Sequence, residues 1–231
     1  MSADRDNIVM PDAEEVKKAR VLLGEAGRRL LRENLVSGTW GNVSVRLGKD
    51  FMVITPSGME YEKLTPEDMV LVNLRDLSYE GELKPSSEKH LHAEIYRNRP
   101  DVGTIIHTHS MNASTVAASR REVPPLLDDM VQIIGPSVRV AEYAIPGTKA
   151  LAKKAVKALR GRNAVLLANH GAICVGRDIE EAFVACQILE KSCKAFIESQ
   201  FLGGAVPINP VEARLMHEYY LRKYSRQKKS K

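Results

Sequence analysis

The 231-residue sequence is short of cysteine and of aromatic side chains, with three Cys, one Trp and 5% aromatics in all. Cys174, Cys186 and Cys193 form no C-x-x-C pair, and an odd count provides no disulfide framework. A disulfide-stapled secreted scaffold is excluded, and a reducing cytoplasm is the expected location. No apolar run approaches the ~18 residues of a membrane-spanning helix. Residues 1–6 lack the charged-then-apolar layout of a signal peptide. An excess of one charge is missing too once the last stretch is set aside. Residues 221–231 carry six Lys and Arg and no acid, and the remainder holds 28 basic against 29 acidic residues. A near-neutral body has no nucleic-acid-binding face, so no nucleic-acid or membrane partner is expected. Residues 221–231 read as a solvated basic tail behind a single domain over 1–220.

What is present is a mixture of helical and strand periodicity. Apolar positions recur at helical spacing over 13–35. Asn42–Leu47 alternates as a strand and pairs with Phe51–Thr55 across Gly48-Lys49-Asp50. Met69–Leu74 reads as a further strand. Ser86 or Ser87 is expected to cap a helix reaching Arg99. A strand over 102–108, a helix over 110–120, a Pro-containing connection and a strand over 138–143 follow. Thr148 opens a helix to Leu159. Short strands at 164–168 and 172–175 flank Asn169-His170-Gly171, Asp178 caps a helix to Phe201, and a last helix starts near Val211. Cys186 and Cys193, seven residues apart, should share that helix's buried face. Short neighbouring strands imply antiparallel pairing and the helices imply cover on both faces. The predicted fold class is α/β: a three-layer α/β/α architecture with a mixed, largely antiparallel central sheet.

His107-Thr108-His109 lies at the end of an apolar, β-branched run, where residues i and i+2 point the same way. Two imidazoles side by side on a rigid element suit a divalent cation, and Glu88 and His170 are the candidates to complete the set. The same residues taken singly have plainer readings. Histidines occur on half-exposed strands, and a Glu near a helix N-terminus is favoured by the dipole alone. His90 and His92 are expected beside the ligands or at the surface, and His217, on the last helix near the basic tail, outside the site. Three loops of small or hydroxylated residues, Gly38–Asn42, Thr55–Gly58 and Pro85–Ser87, together make an anion cradle of amides and hydroxyls.

The motifs G-T-x-G-N-V-S-V-R, I-T-P-S-G, P-S-S-E, H-T-H-S and N-H-G, in this order over residues 12–205, resemble the class II aldolase/adducin family. The resemblance is nearest to its L-fuculose-phosphate aldolases. It implies one Zn²⁺ per subunit on Glu88, His107, His109 and His170, and substrate phosphate on Gly41, Asn42, Ser57, Gly58, Ser86 and Ser87. It further implies a homotetramer with active sites between subunits, where Tyr224, ahead of Tyr220, matches a tyrosine supplied by the neighbour. The implied reaction is cleavage of a ketose 1-phosphate, such as L-fuculose 1-phosphate or a related deoxy-sugar phosphate, to dihydroxyacetone phosphate and an aldehyde. Glu88 and Tyr224 would move the protons.

Alternatives within the family are a ribulose-phosphate 4-epimerase, a methylthioribulose-phosphate dehydratase or aldolase, and a decarboxylase of a phosphorylated keto acid. A non-catalytic adducin-like module is a further one. A Schiff-base aldolase would need a desolvated lysine, and Lys84, Lys89 and Lys149 lie in polar contexts. Two departures fall on the aldehyde half of the family's site: Asp129 where an aldolase tyrosine is expected, and Pro146 where a phenylalanine precedes Gly-Thr. They keep salvage of a 5-deoxy or 5-methylthio pentose phosphate open.

Overall fold

The computed structural model describes residues 9–227, with side chains as far as residue 223. The first helix, α1 (Ala13–Arg32), starts at Asp12, whose carboxylate accepts from the amides of Glu14 and Glu15. Three strands follow: β1 (Asn42–Leu47), β2 (Phe51–Ile54) and β3 (Val70–Asn73). Then come α2 (Lys89–Asn98), β4 (Thr104–Thr108), α3 (Met111–Ser119) and α4 (Asp128–Ile133). The second half contains β5 (Val140–Ala141), α5 (Lys149–Leu159), β6 (Ala164–Leu167), β7 (Gly171–Gly176), α6 (Ile179–Ser199) and α7 (Pro210–Gln227).

Among the described residues one seven-stranded sheet runs in the order β3-β2-β1-β4-β7-β6-β5. Every neighbouring pair is antiparallel except β5 and β6. Its strands alternate between two apolar layers, as the period of two requires. Val43, Val53, Ile106, Leu166, Ala172 and Cys174 pack with α1, α3, α4 and α6. Met52, Ile54, Ile105, Val165, Ile173 and Val175 pack with α2 and α5. The three-layer α/β/α expectation, with its mixed and mainly antiparallel sheet, is met. Cys174, Cys186 and Cys193 are free and buried in the first of these layers.

Four local expectations need correction. Neither Ser86 nor Ser87 caps α2. The N-cap is Glu88, whose side chain makes no capping bond, while Ser86 accepts the Glu88 amide on Oγ and the Lys89 amide on its carbonyl. The strand expected over 138–143 shortens to β5, because Val138 pairs with Val123 instead. The Pro-containing connection hides α4. The last helix continues through Gln227, into the segment read as a tail; residues 228–231 and the side chain of Tyr224 lie outside the described residues. No helix of the described residues is long and apolar enough to cross a membrane.

Candidate metal centre

Antiparallel pairing gathers the sequence candidates at one end of the sheet. The C-terminal end of β4 lies beside the start of β1, with His107 directly across from Asn42. The same end of β4 lies beside the start of β7, where Thr108 faces Ala172. His107 shares the α2-facing side of the sheet with Ile105, two residues earlier, so its ring meets the first turn of α2, where Glu88 sits. His170 closes the three-residue hairpin between β6 and β7, whose Asn169 takes a left-handed conformation (φ 56°). Two glycines make the approach possible. A Cβ on Gly171 would lie 2.3 Å from the Thr108 carbonyl oxygen, and one on Gly41 (φ +81°) 2.7 Å from the His107 carbonyl oxygen.

The donor atoms converge. His107 Nε2 lies 2.8 Å from Glu88 Oε2 and 2.9 Å from His109 Nε2, and His170 Nε2 lies 3.8 Å from Glu88 Oε1. His107, His109 and His170 form a group able to hold a metal ion. His107 Nδ1 donates to the Ala172 carbonyl at 2.9 Å, which leaves Nε2 facing the carboxylate, where it carries a proton or, deprotonated, offers its lone pair to a cation. Electron-pair donors facing one another at these distances repel unless a proton or a cation lies between them. The spacings bracket the edge of about 3.4 Å that a tetrahedron has at zinc–ligand lengths. The donor set therefore fits a divalent cation.

Electrostatics agree. Burial, reinforced by the His107 and His170 charges, pushes His109 down to about 3. Burial and His107 take His170 down to about 4. Both rings are thus neutral near pH 7, as ligands must be. Burial alone would lower His107, but the charge and hydrogen bond of Glu88 outweigh it and hold it above the usual value. Burial likewise disfavours the charged form of Glu88, and His107 overrides it, so the carboxyl stays well below the usual range.

The three loops meet in front of this cluster. Pro56 bridges to Pro85, the Ser57 amide donates to the Lys84 carbonyl at 2.9 Å, and the Ser86 amide donates to the Thr55 carbonyl at 3.1 Å. Gly41, Asn42, Ser57, Gly58, Ser86, Ser87, Glu88, His109 and His170 line one cleft, with Thr39, Trp40, Pro56 and Pro146 completing it. Asp129 does not line it; its carboxylate pairs with Lys191 at 2.7 Å. His90 is half-buried, and His217 is buried away from the cleft, with Nδ1 donating to the Gln132 carbonyl at 3.0 Å.

Two features were not foreseen. Trp40, 66% exposed, stands with its ring 5.6 Å from that of His109. Glu190 on α6 accepts from Ser110 Oγ at 2.7 Å and from the amides of Asn112 and Ala113 at 2.9 Å each, pinning the segment after His109. The uniqueness of Trp40 and its place inside a loop motif could have signalled the first. Nothing local signals a carboxylate eighty residues away.

Comparison with known proteins adds to the geometry. Residues 21–197 match the family model described as Class II Aldolase and Adducin N-terminal domain. The chain is 37% identical to the 5-deoxy-D-ribulose 1-phosphate aldolase of Bacillus thuringiensis serovar kurstaki, over 81% of this chain and 88% of that one. It is 39% identical to the 5-methylthioribulose-1-phosphate/5-deoxyribulose-1-phosphate aldolase of Rhodospirillum rubrum, over 68% and 71%. A solved L-fuculose 1-phosphate aldolase superposes with a TM-score of 0.84 at 36% identity, covering 91% of this chain and 98% of that one. The chain belongs to the class II aldolase and adducin family.

Proposed function

We propose that this chain is a divalent-metal-dependent aldolase that cleaves a 5-deoxy- or 5-methylthio-pentulose 1-phosphate to dihydroxyacetone phosphate and acetaldehyde or (methylthio)acetaldehyde, respectively. The observation that carries the proposal is that Glu88, His109 and His170, with His107 buried behind them, meet the three small-residue loops in one cleft. A metal site beside an anion cradle suits a phosphorylated ketose. The named activities of the two curated relatives, and Pro146 in the cleft wall, favour a deoxy or thioether aldehyde over the hydroxyl-bearing lactaldehyde of L-fuculose 1-phosphate.

His107, His109, His170 and Glu88 would hold the ion, taken as Zn²⁺. When bound it supplies Lewis acidity to the substrate's carbonyl and neighbouring hydroxyl oxygens. The chain's own groups do the rest. Ser57, Ser86 and Ser87, with Asn42 and the backbone of Gly41 and Gly58, hold the phosphate and so fix the distance from it to the reacting carbons. Cleavage removes the proton of the C4 hydroxyl, breaks C3–C4 and returns a proton to C3. Glu88 is assigned the proton delivered to C3. Tyr224 of the partner subunit is assigned the C4 hydroxyl proton, in a tetramer whose neighbours close the cleft. Large exposed apolar side chains support that closure: Trp40 in the cleft, and Met111 and Ile145 close in sequence to its lining residues His109 and Pro146.

The test is release of dihydroxyacetone phosphate from 5-deoxyribulose, 5-methylthioribulose and L-fuculose 1-phosphates, with the aldehyde trapped and identified. Faster cleavage of the first two is expected. Preference for fuculose 1-phosphate would move the assignment to that aldolase. A C4 epimer, loss of water or CO₂ would replace aldol cleavage altogether.

A further inference from the structure

Behind Glu88 lies a second buried polar group, Ser44, His92 and Tyr96, that the proposed reaction does not use. Asn42, Ser44 and Arg46 point from alternate positions of β1 toward α2, where Glu88, His92 and Tyr96 recur at i, i+4 and i+8. Two strand residues advance nearly as far as four helix residues, so the two series stay in register along a seam. Asn42 Nδ2 donates to Glu88 Oε2 at 3.2 Å. Ser44 Oγ lies 2.7 Å from His92 Nδ1 and 2.9 Å from the Tyr96 hydroxyl, which donates to the Ser44 carbonyl at 2.9 Å. The Arg46 guanidinium donates to the Tyr96 carbonyl and covers the Tyr96 ring.

His92 is 0% exposed, and Leu91, Ala93 and Ile95 around it are buried hydrophobics. A polar chain in such a layer is costly unless its geometry is needed. With Nδ1 engaged by Ser44, Nε2 of His92 makes no hydrogen bond among the described residues, and Oε1 of Glu88, one turn earlier and 3.8 Å from His170 Nε2, makes none either. A ring nitrogen that can donate and a carboxylate oxygen that must accept are thus left over on one face of one helix.

We propose that His92, held by Ser44, which Tyr96 holds in turn, is a positioning residue for Glu88: Nε2, unbonded in this structure, is the buried donor that takes the carboxylate oxygen when Glu88 serves the metal cluster. The inference rests on the reading of Glu88 as a metal-side carboxylate. It requires Nδ1 for the lock and Nε2 for the action, and the two are separable. His92→Asn keeps a short amide arm toward Ser44, His92→Gln reaches the ε position, and His92→Phe fills the volume with neither.

The experiment measures Zn²⁺ affinity of the full chain by chelator competition, with melting temperature and the split between kcat and KM as companions. His92→Phe and His92→Asn should bind Zn²⁺ about 10- to 100-fold more weakly, the range for partners that orient a ligand. Their kcat should fall with KM unchanged, since the phosphate loops are untouched, and His92→Gln should recover most of both. Unchanged Zn²⁺ affinity and kcat in the Phe and Asn variants would overturn the inference, as would recovery by Asn but not Gln. Should those variants fail to fold, Ser44→Ala decides: weaker Zn²⁺ binding supports the lock and unchanged binding refutes it. Glu88→Gln separates the two levels. If it leaves Zn²⁺ affinity unaltered, the site reading itself fails. If it weakens binding while the His92 series does not, only the positioning role fails.

Discussion

Gly171 follows a candidate ligand at a point where a methyl group has no room. Its Cβ would meet the Thr108 carbonyl at 2.3 Å and the His107 ring at 3.3 Å. Gly171→Ala should therefore cost about 1–3 kcal/mol by overpacking and weaken metal binding with it, measured by urea denaturation and Zn²⁺ titration of the same protein. His92 makes a separate prediction. Burial takes its imidazole down to about 3 from 6.5, so the folded chain refuses a proton that the unfolded chain accepts. Its contribution is intact above about pH 6.5 and is lost as pH falls toward 3, with a slope of up to ~1.4 kcal/mol per pH unit from this group. Denaturation midpoints of wild type and His92→Phe at pH 7.5 and 5 check the sign: the fall should be shallower in the variant. The four candidate ligands were legible as a set: H-x-H on a strand and a His before Gly in a tight hairpin suggested three of them, and the ordered motifs, P-S-S-E among them, added Glu88. The seam behind Glu88 was legible only as a pattern, residues 42 and 44 against 88, 92 and 96, whose meaning needs the two elements side by side.

At the scale of elements, strands were easier to place than helix ends. Asn42–Leu47 alternates in the period of two of a strand and is one. Helix α2 begins later than its serines suggest because Pro56 and Pro85 bridge the two loops, and Ser86 spends its hydroxyl and carbonyl on that turn. Six-residue α4 lies behind Pro124-Pro125 and is too short to show a helical period. Helix α3 depends on a distant partner. Glu190 receives two backbone amides at its N-terminus, Ser110 Oγ, and Asn112 Nδ2 at 2.8 Å. Glu190→Ala leaves those donors without their acceptor and should cost about 2–4 kcal/mol. Because the segment begins one residue after His109, bound metal should be lost at lower denaturant than in wild type. Equal loss of stability with metal retention unchanged would separate α3 from the site.

For the whole molecule, the seven-stranded sheet places all four donors at one end while α1, α3, α4 and α6 cover one face and α2 and α5 the other. The candidate ligands come from α2, β4, the residue after it and the β6–β7 hairpin, so an ion held there would tie together parts of the chain up to 82 residues apart in sequence. A ligand that binds only the folded chain at 100 times its Kd adds about 2.7 kcal/mol. Stripping the metal should lower the melting temperature by about 5–10 °C for a chain of this length, read by calorimetry with and without Zn²⁺ restored. The most direct test of the central claim is release of dihydroxyacetone phosphate from 5-deoxyribulose 1-phosphate by four samples: as purified, EDTA-stripped, Zn²⁺-restored and Glu88→Gln. Activity in the first and third and its loss in the second and fourth is the predicted result; cleavage that survives metal removal or the Glu88→Gln change would contradict it.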